Sequence, residues 1–166
     1  MENNGESRST STSIKNNKEN NFKASGEMKE AFGPHLTLDL SGCKRSTLTG
    51  MQTLYNLLDT LPGQIGMTKM TLPHVVEWLD KWADTPGYSG IVMLAESHIA
   101  IHTFPDSDYV FIDIFSCRHF DVDKAVNLFV KTFKPKNIVR NVVARGIDFP
   151  KPTHIVNNET VQVIQK

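Results

Sequence analysis

One stretch of this chain, residues 89 to 117, gathers side chains that can do covalent chemistry at fixed offsets. Ser97 follows the apolar run Ile91-Val92-Met93-Leu94-Ala95 and an isolated acid, Glu96. His98 comes directly after it, His102 five residues on, Cys117 twenty residues on, and Ser89 lies eight residues before. A hydroxyl near an imidazole is a nucleophile with a base, and an imidazole titrates near neutrality. Each residue also has a plain reading. A serine that opens a strand is a turn residue, histidines on one strand face are satisfied polar neighbours, and a lone cysteine is a small buried hydrophobe. Only their joint spacing makes nucleophile, base and thiol candidates for one site.

The elements that must position these groups can be read from periodicity. His35 to Ser41 alternates apolar with polar like a half-buried strand, closed by Gly42. Ser46 or Thr47 can cap a helix in which Leu48, Met51, Leu54, Tyr55 and Leu58 recur at three and four, with Leu61-Pro62-Gly63 as its stop. Met67 to Leu72 alternates like a strand, whereas Val75, Trp78, Leu79 and Trp82 are spaced like a helix after Pro73. Both readings of that segment stand.

Ser89 to Ala95 reads as a strand after the Pro86-Gly87 turn. His98 to Thr103 alternates, with His98, Ala100 and His102 on one face and Ile99 and Ile101 on the other. After a turn at Pro105 to Asp108, Tyr109 to Phe115 completes an antiparallel hairpin with it. Asp121 caps a second helix with Ala125, Leu128, Phe129 and Thr132/Phe133 as its buried stripe, stopped by Lys134-Pro135. Asn137 to Ala144 is a further strand, and Val161 to Ile164 offers one more. The order predicts an α+β fold, a mostly antiparallel sheet with two helices packed on one face.

Bulk properties bound the partners. The apolar fraction, 39%, is slightly low, and the deficit lies at one end. Residues 1–30 hold little beyond Ile14, Phe22 and Met28 to bury, which predicts a disordered tail ahead of a single domain over residues 31–166. No run suits a signal peptide or a membrane span, so the expectation is a cytoplasmic protein that does not meet a membrane. The 18 basic residues balance the 18 acidic ones without a block of either sign, which argues against nucleic acid as partner. Cys43 and Cys117 form no zinc-type spacing, so no metal is expected.

At these offsets the chain resembles the bacterial and archaeal S-adenosylmethionine decarboxylases, small pyruvoyl-dependent enzymes made as proenzymes. The family pattern runs Ser-Gly, an apolar strand, Glu-Ser-His, three residues, His-Thr-Trp-Pro-Glu, then an apolar strand with Asp before Phe-Thr-Cys-Gly. The matching residues are Ser89-Gly90, Glu96-Ser97-His98, His102-Thr103-Phe104-Pro105-Asp106, Asp113 and Phe115-Ser116-Cys117-Arg118. Gly42-Cys43 fits the family's opening, and the resemblance covers about residues 32 to 145.

The resemblance implies the family's sandwich fold and a physically sensible chemistry. Decarboxylating an amino acid requires an electron sink, which enzymes supply with a carbonyl that forms a Schiff base with the substrate amine. This chain has no obvious pyridoxal-phosphate lysine motif, and a pyruvoyl group made from Ser97 meets the need internally. Ser97 Oγ would attack the Glu96 carbonyl to give an ester, and a base would then remove the Cα proton of residue 97 so that the ester is eliminated. Elimination leaves a β chain ending at Glu96, and hydrolysis of the dehydroalanine at residue 97 releases ammonia and leaves a pyruvoyl-blocked α chain. Carried over from the family, His102 is the processing base, Ser89 the hydrogen-bond donor to the oxyanion, and Cys117 the proton donor in turnover. The product would serve spermidine synthesis, and the protomer should form a homodimer with sites built from both chains.

Departures fall on substrate recognition. The family's Glu, which binds the ribose hydroxyls, is the shorter Asp106, and Ser107-Asp108 adds a second acid. The aromatic that stacks on adenine is displaced, since strict counting lands on Ala83, and Trp78 or Trp82 are the substitutes unless both are core. These features leave open a pyruvoyl-dependent ornithine or arginine decarboxylase on the same fold. A non-catalytic regulatory paralogue is the reading from another class.

Overall fold

The computed structural model describes residues 13–15, 31–79, 81 and 83–150. Among the described residues, seven strands and two α-helices follow one another as β1 (Ser13–Lys15), β2 (Gly33–Ser41), α1 (Met51–Gln64), β3 (His74–Trp78), β4 (Gly87–Leu94), β5 (Ser97–Phe104), β6 (Tyr109–Ser116), α2 (Val122–Phe133) and β7 (Asn137–Arg145). They form one sheet in the order β1-β7-β2-β6-β5-β4-β3. Six strands pair antiparallel, and only β1 lies parallel to its neighbour, β7. This is the α+β architecture that the sequence predicts.

Strict alternation explains why the sheet has two unlike faces. Leu36, Leu38 and Leu40 of β2, Ile99 and Ile101 of β5, and Ile112 and Ile114 of β6 are at most 1% exposed. They pack against Leu54, Leu58 and Leu61 of α1 and Phe129 and Phe133 of α2, so the core is one layer between sheet and helices. Gly90 lets α1 sit close on β4, because a Cβ there would lie 2.6 Å from Leu58 Cδ1. The intervening residues face away from the helices. That face carries Val76, Trp78, Ile91, Met93, Phe111, Val139 and Val143, each 40–56% exposed.

Local chemistry moves several expected boundaries. The helix α1 starts at Gly50, whose φ of 100° is open to glycine at little cost, and not at Ser46 or Thr47. Those two belong to a 3-10 turn, Arg45–Thr47, in which Thr47 Oγ1 donates to the Lys44 carbonyl at 2.7 Å. Pro62 fails to stop the helix because it falls in the last turn, where its missing N–H forfeits one bond and the chain continues to Gln64. Asp121 does cap α2, accepting from Lys124 N at 2.9 Å. The buried stripe of α2 includes Val126, while Leu128 packs only partly against the core.

Residues 67 to 79 settle on neither of the two expected readings. Met67 to Leu72 contributes only an isolated bridge, Lys69 to Leu94, and the helical spacing after Pro73 gives way to strand β3 along the free edge of β4. Two β-branched valines beside an unpaired strand edge favour the ladder over a helix. Within the segment expected as a tail, Ser13–Lys15 pair with Asn137–Val139 on the other edge, and the rest of residues 1–30 lies outside the described residues. That edge offers unpaired backbone groups, so a short run needs little apolar burial to dock there. The strand expected at Val161 to Ile164 lies outside the described residues.

Candidate active site

Ser97 opens β5 at a two-residue hairpin loop. Leu94 and Ser97 are the closing pair, and Ala95-Glu96 is the loop between them. The backbone of Ser97 has φ of 151°, a conformation that non-glycine residues adopt only under constraint. The constraint is visible on both sides of the Glu96–Ser97 bond. The Glu96 carbonyl accepts the Cys117 N–H at 2.8 Å. Glu96 is 7% exposed, and its Oε2 accepts the Thr68 N–H at 3.0 Å. The peptide carbonyl is therefore held in place, with a donor already on its oxygen.

Cys117 reaches this point because its neighbour Ser116 is the register partner of Ser97 on β6. The chain then turns sharply, with Ser116 Oγ donating to the Arg118 carbonyl at 2.7 Å and accepting the Arg118 N–H at 3.0 Å. Cys117 is half-buried, whereas Cys43 is buried. Burial, and then the negative charge of Asp108, push the Cys43 thiol up to about 12, so it stays protonated and inert. Of the two thiols, only Cys117 is placed for chemistry at Ser97.

The side chain of His98 lies beside this bond. Ser97 Oγ and His98 Nδ1 are 3.1 Å apart. Across the open face, register continues from His98 to Phe115 of β6 and on to His35 of β2. The His98 ring stands edge-on to Phe115 at 6.1 Å, and Arg145 stacks on that same ring at 4.2 Å. His35 Nε2 lies 3.3 Å from Asp113 Oδ1 without hydrogen-bond geometry and is buried without another partner among the described residues. Burial, and then the neighbouring His35 and Arg145 against the opposing pull of Asp113, hold the His98 imidazole below its ordinary pKa.

The other expected groups sit at the far end of the same strand. Ser89 and His102 are register partners on β4 and β5, and His102 Nδ1 lies 2.9 Å from Ser89 Oγ. Five residues of strand separate His102 from Ser97, about 16 Å at the rise of a β-strand. Within one protomer the structure brings Cys117 to Ser97 and leaves Ser89 and His102 away from it.

Around this second cluster runs an aromatic row. Trp78 meets Phe104 edge-on at 6.3 Å, Phe104 meets Phe111 at 5.7 Å, and Phe111 meets Tyr109 at 4.8 Å. Asp106 lies at the same end, but its carboxylate is engaged. Oδ2 accepts the N–H groups of Asp84 at 2.8 Å and Thr85 at 3.0 Å, and Oδ1 pairs with Arg45. These contacts, the Thr85 N–H foremost, hold the carboxyl below its ordinary value. Asp108 turns the hairpin in a left-handed conformation, φ 50°, and its carbonyl accepts the Cys43 N–H at 2.9 Å. Trp82 lies outside the described residues.

Sequence reasoning missed Thr68, Arg45 and Thr85, which lie 28, 61 and 21 residues from the acids they hold, and no local pattern signals such pairs. His98 was legible as a neighbour of Ser97 but not as its contact.

Residues 34–146 match the family described as S-adenosylmethionine decarboxylase. The chain is 30% identical over 139 residues to an S-adenosylmethionine decarboxylase proenzyme of Sulfurihydrogenibium sp., covering 83% of this chain and 99% of that protein. It is 31% identical over 115 residues to the proenzyme of Archaeoglobus fulgidus, 69% of this chain and 97% of that one. Its fold superimposes on the crystal structure of the adenosylmethionine decarboxylase from Aquifex aeolicus with a TM-score of 0.60 at 27% identity, covering 80% of this chain and 98% of that one.

Proposed function

Because the chain belongs to the S-adenosylmethionine decarboxylase family, we propose that it is a proenzyme that splits itself between Glu96 and Ser97 and then decarboxylates S-adenosylmethionine. The observation that carries this reading is the held Glu96–Ser97 bond. Its carbonyl oxygen is bonded to the Cys117 N–H, its serine is backbone-constrained, and a hydroxyl nucleophile lies on the next atoms of the chain. A pyruvoyl group fits this position, because conversion of Ser97 leaves the carbonyl carbon at the start of β5 beside Cys117. Once formed, the group supplies the electron sink that decarboxylation requires. Cys117 holds the proton delivered to the product carbon.

The two clusters on one open face complete one another in a homodimer. An open, apolar sheet face pairs with a second copy of itself about a two-fold axis, which is the isologous arrangement most dimers adopt. Such an axis through the middle of the face sets the Ser97 end of one protomer against the Ser89–His102 end of the other. His102 then removes the Cα proton at the partner's Ser97, and Ser89 donates to the oxyanion there. Trp78 and Phe104 border the same junction and offer an aromatic face for adenine.

The state of Asp106 favours S-adenosylmethionine over ornithine or arginine. A cationic side chain needs a free carboxylate, and Asp106 already carries Arg45 and two backbone N–H groups. Asp108 gives its backbone carbonyl to the Cys43 N–H, and its charge acts on the buried Cys43 thiol. Purified protein on a denaturing gel tests the first half of the reading, because an active chain appears as two fragments and not as one of 18.6 kDa. Carbon dioxide release from S-adenosylmethionine, ornithine and arginine tests the second. An intact chain would remove catalysis, and release only from ornithine or arginine would overturn the substrate.

A further inference from the structure

Self-splitting begins with loss of the Ser97 hydroxyl proton, and His102 is about five residues of strand too far away to take it within its own chain. We propose that His98 is the general base for this first step, acting on the serine that precedes it. The inference rests on the proenzyme reading above and concerns only how the ester forms.

Geometry carries the argument. Consecutive side chains of a regular strand point to opposite faces, so Ser97 and His98 should not meet. The φ of 151° at Ser97 breaks that alternation and leaves Oγ 3.1 Å from His98 Nδ1, within reach for a catalytic base. The imidazole is also fixed. It stands edge-on to Phe115, which is in turn covered by Arg145. In the tautomer protonated at Nε2, Nδ1 accepts the hydroxyl proton.

The step balances within the chain. Ser97 Oγ gives its proton to His98 Nδ1 and forms a bond to the Glu96 carbonyl carbon. The Glu96–Ser97 C–N bond breaks, and the imidazolium returns the proton to the departing nitrogen, leaving an ester and a free amine. The Cys117 N–H sits on the carbonyl oxygen where negative charge develops. The charged and titratable groups near His98 across the open sheet face are His35 on β2, Asp113 on β6 and Arg145 on β7, and their net effect with burial lowers the imidazole pKa, which favours the neutral ring.

Hydroxylamine distinguishes the steps, because it cuts an ester and spares an amide. Freshly synthesised full-length chain is followed on a denaturing gel with and without hydroxylamine. The wild type should split unaided. His98→Asn and His98→Gln should split roughly 10²-fold or more slowly, the usual contribution of a general base. Hydroxylamine should release no fragment from either, and added imidazole should restore part of the rate. The rate of ester formation in His102→Asn should fall on acidification with a midpoint below 6.5, the ordinary value for this group. Splitting of both His98 variants at the wild-type rate, or a hydroxylamine cut at Glu96–Ser97 in them, would overturn the proposal. A wild type that neither splits nor yields to hydroxylamine would instead sink the proenzyme reading itself.

Discussion

Ser89 and His102 face each other across β4 and β5 with Oγ and Nδ1 2.9 Å apart, a contact fixed by strand register and not by any loop. A hydroxyl so placed orients the imidazole, and in the proposed dimer it would carry a donor to the oxyanion developing at the partner's Glu96 carbonyl. Ser89→Ala should therefore leave the fold intact and slow self-splitting by about 10²-fold, as loss of one oxyanion donor does. Densitometry of the two fragments over time measures it.

Separation of the clusters predicts complementation between chains. Ser97→Ala and His102→Asn should each fail to split alone. When the two are unfolded together and refolded as mixed dimers, one complete site forms per heterodimer, and only the His102→Asn chain should split. Val143→Asp, which puts a charge on the open face, should abolish the rescue and yield monomers in sedimentation. Rescue without dimers would show that the halves of the site are not shared.

Acid should release the contact made by Asp106. Its folded pKa lies below the ordinary 3.8, so the stability it contributes is present above that value and is lost as the pH falls through the depressed one. The melting-temperature gap between the wild type and Asp106→Asn should be flat from neutral pH down to about 5 and close only below 3.8. The same variant should raise KM more than it lowers kcat, since it loosens the Asp84-Thr85 segment.

Gly33→Ala tests how firmly the sheet holds Cys117. A Cβ at this position would lie 1.8 Å from the Ser116 carbonyl oxygen and 2.8 Å from the Cys117 Cα, so backbone must move. The variant should lose about 1–3 kcal/mol in denaturant unfolding, a usual penalty of overpacking. Turnover should fall further than splitting, because the thiol shifts with its Cα.

Much of this was legible in the sequence where periodicity is strict. The alternation of Ile99 and Ile101 against His98 and His102 placed the histidines on one face, and Asp121 marked its helix correctly. What could not be read was distance along a strand. Ser97, His102 and Cys117 form one motif in sequence, yet five residues of extended chain separate the first two in space, whereas the β5–β6 hairpin returns Cys117 to Ser97 over twenty. Residues 74–78 misled because Pro73 followed by helical spacing competes with an edge that only tertiary structure reveals. The contacts of Asp106 with Arg45 and Thr85 could not be read either, because those residues are joined to it by folding alone.

The strand order carries a consequence for the split molecule. A cut after Glu96 would leave β1 to β4 in one piece and β5 to β7 in the other, but β1 and β2 flank β7, β2 is wedged between β7 and β6, and β4 stays zipped to β5. The two pieces are threaded through each other like interlocked fingers, and neither can leave without tearing the middle of the sheet. Such a cut would sever the backbone without dividing the protein, and the strain held at position 97 would be free to relax at the new chain end.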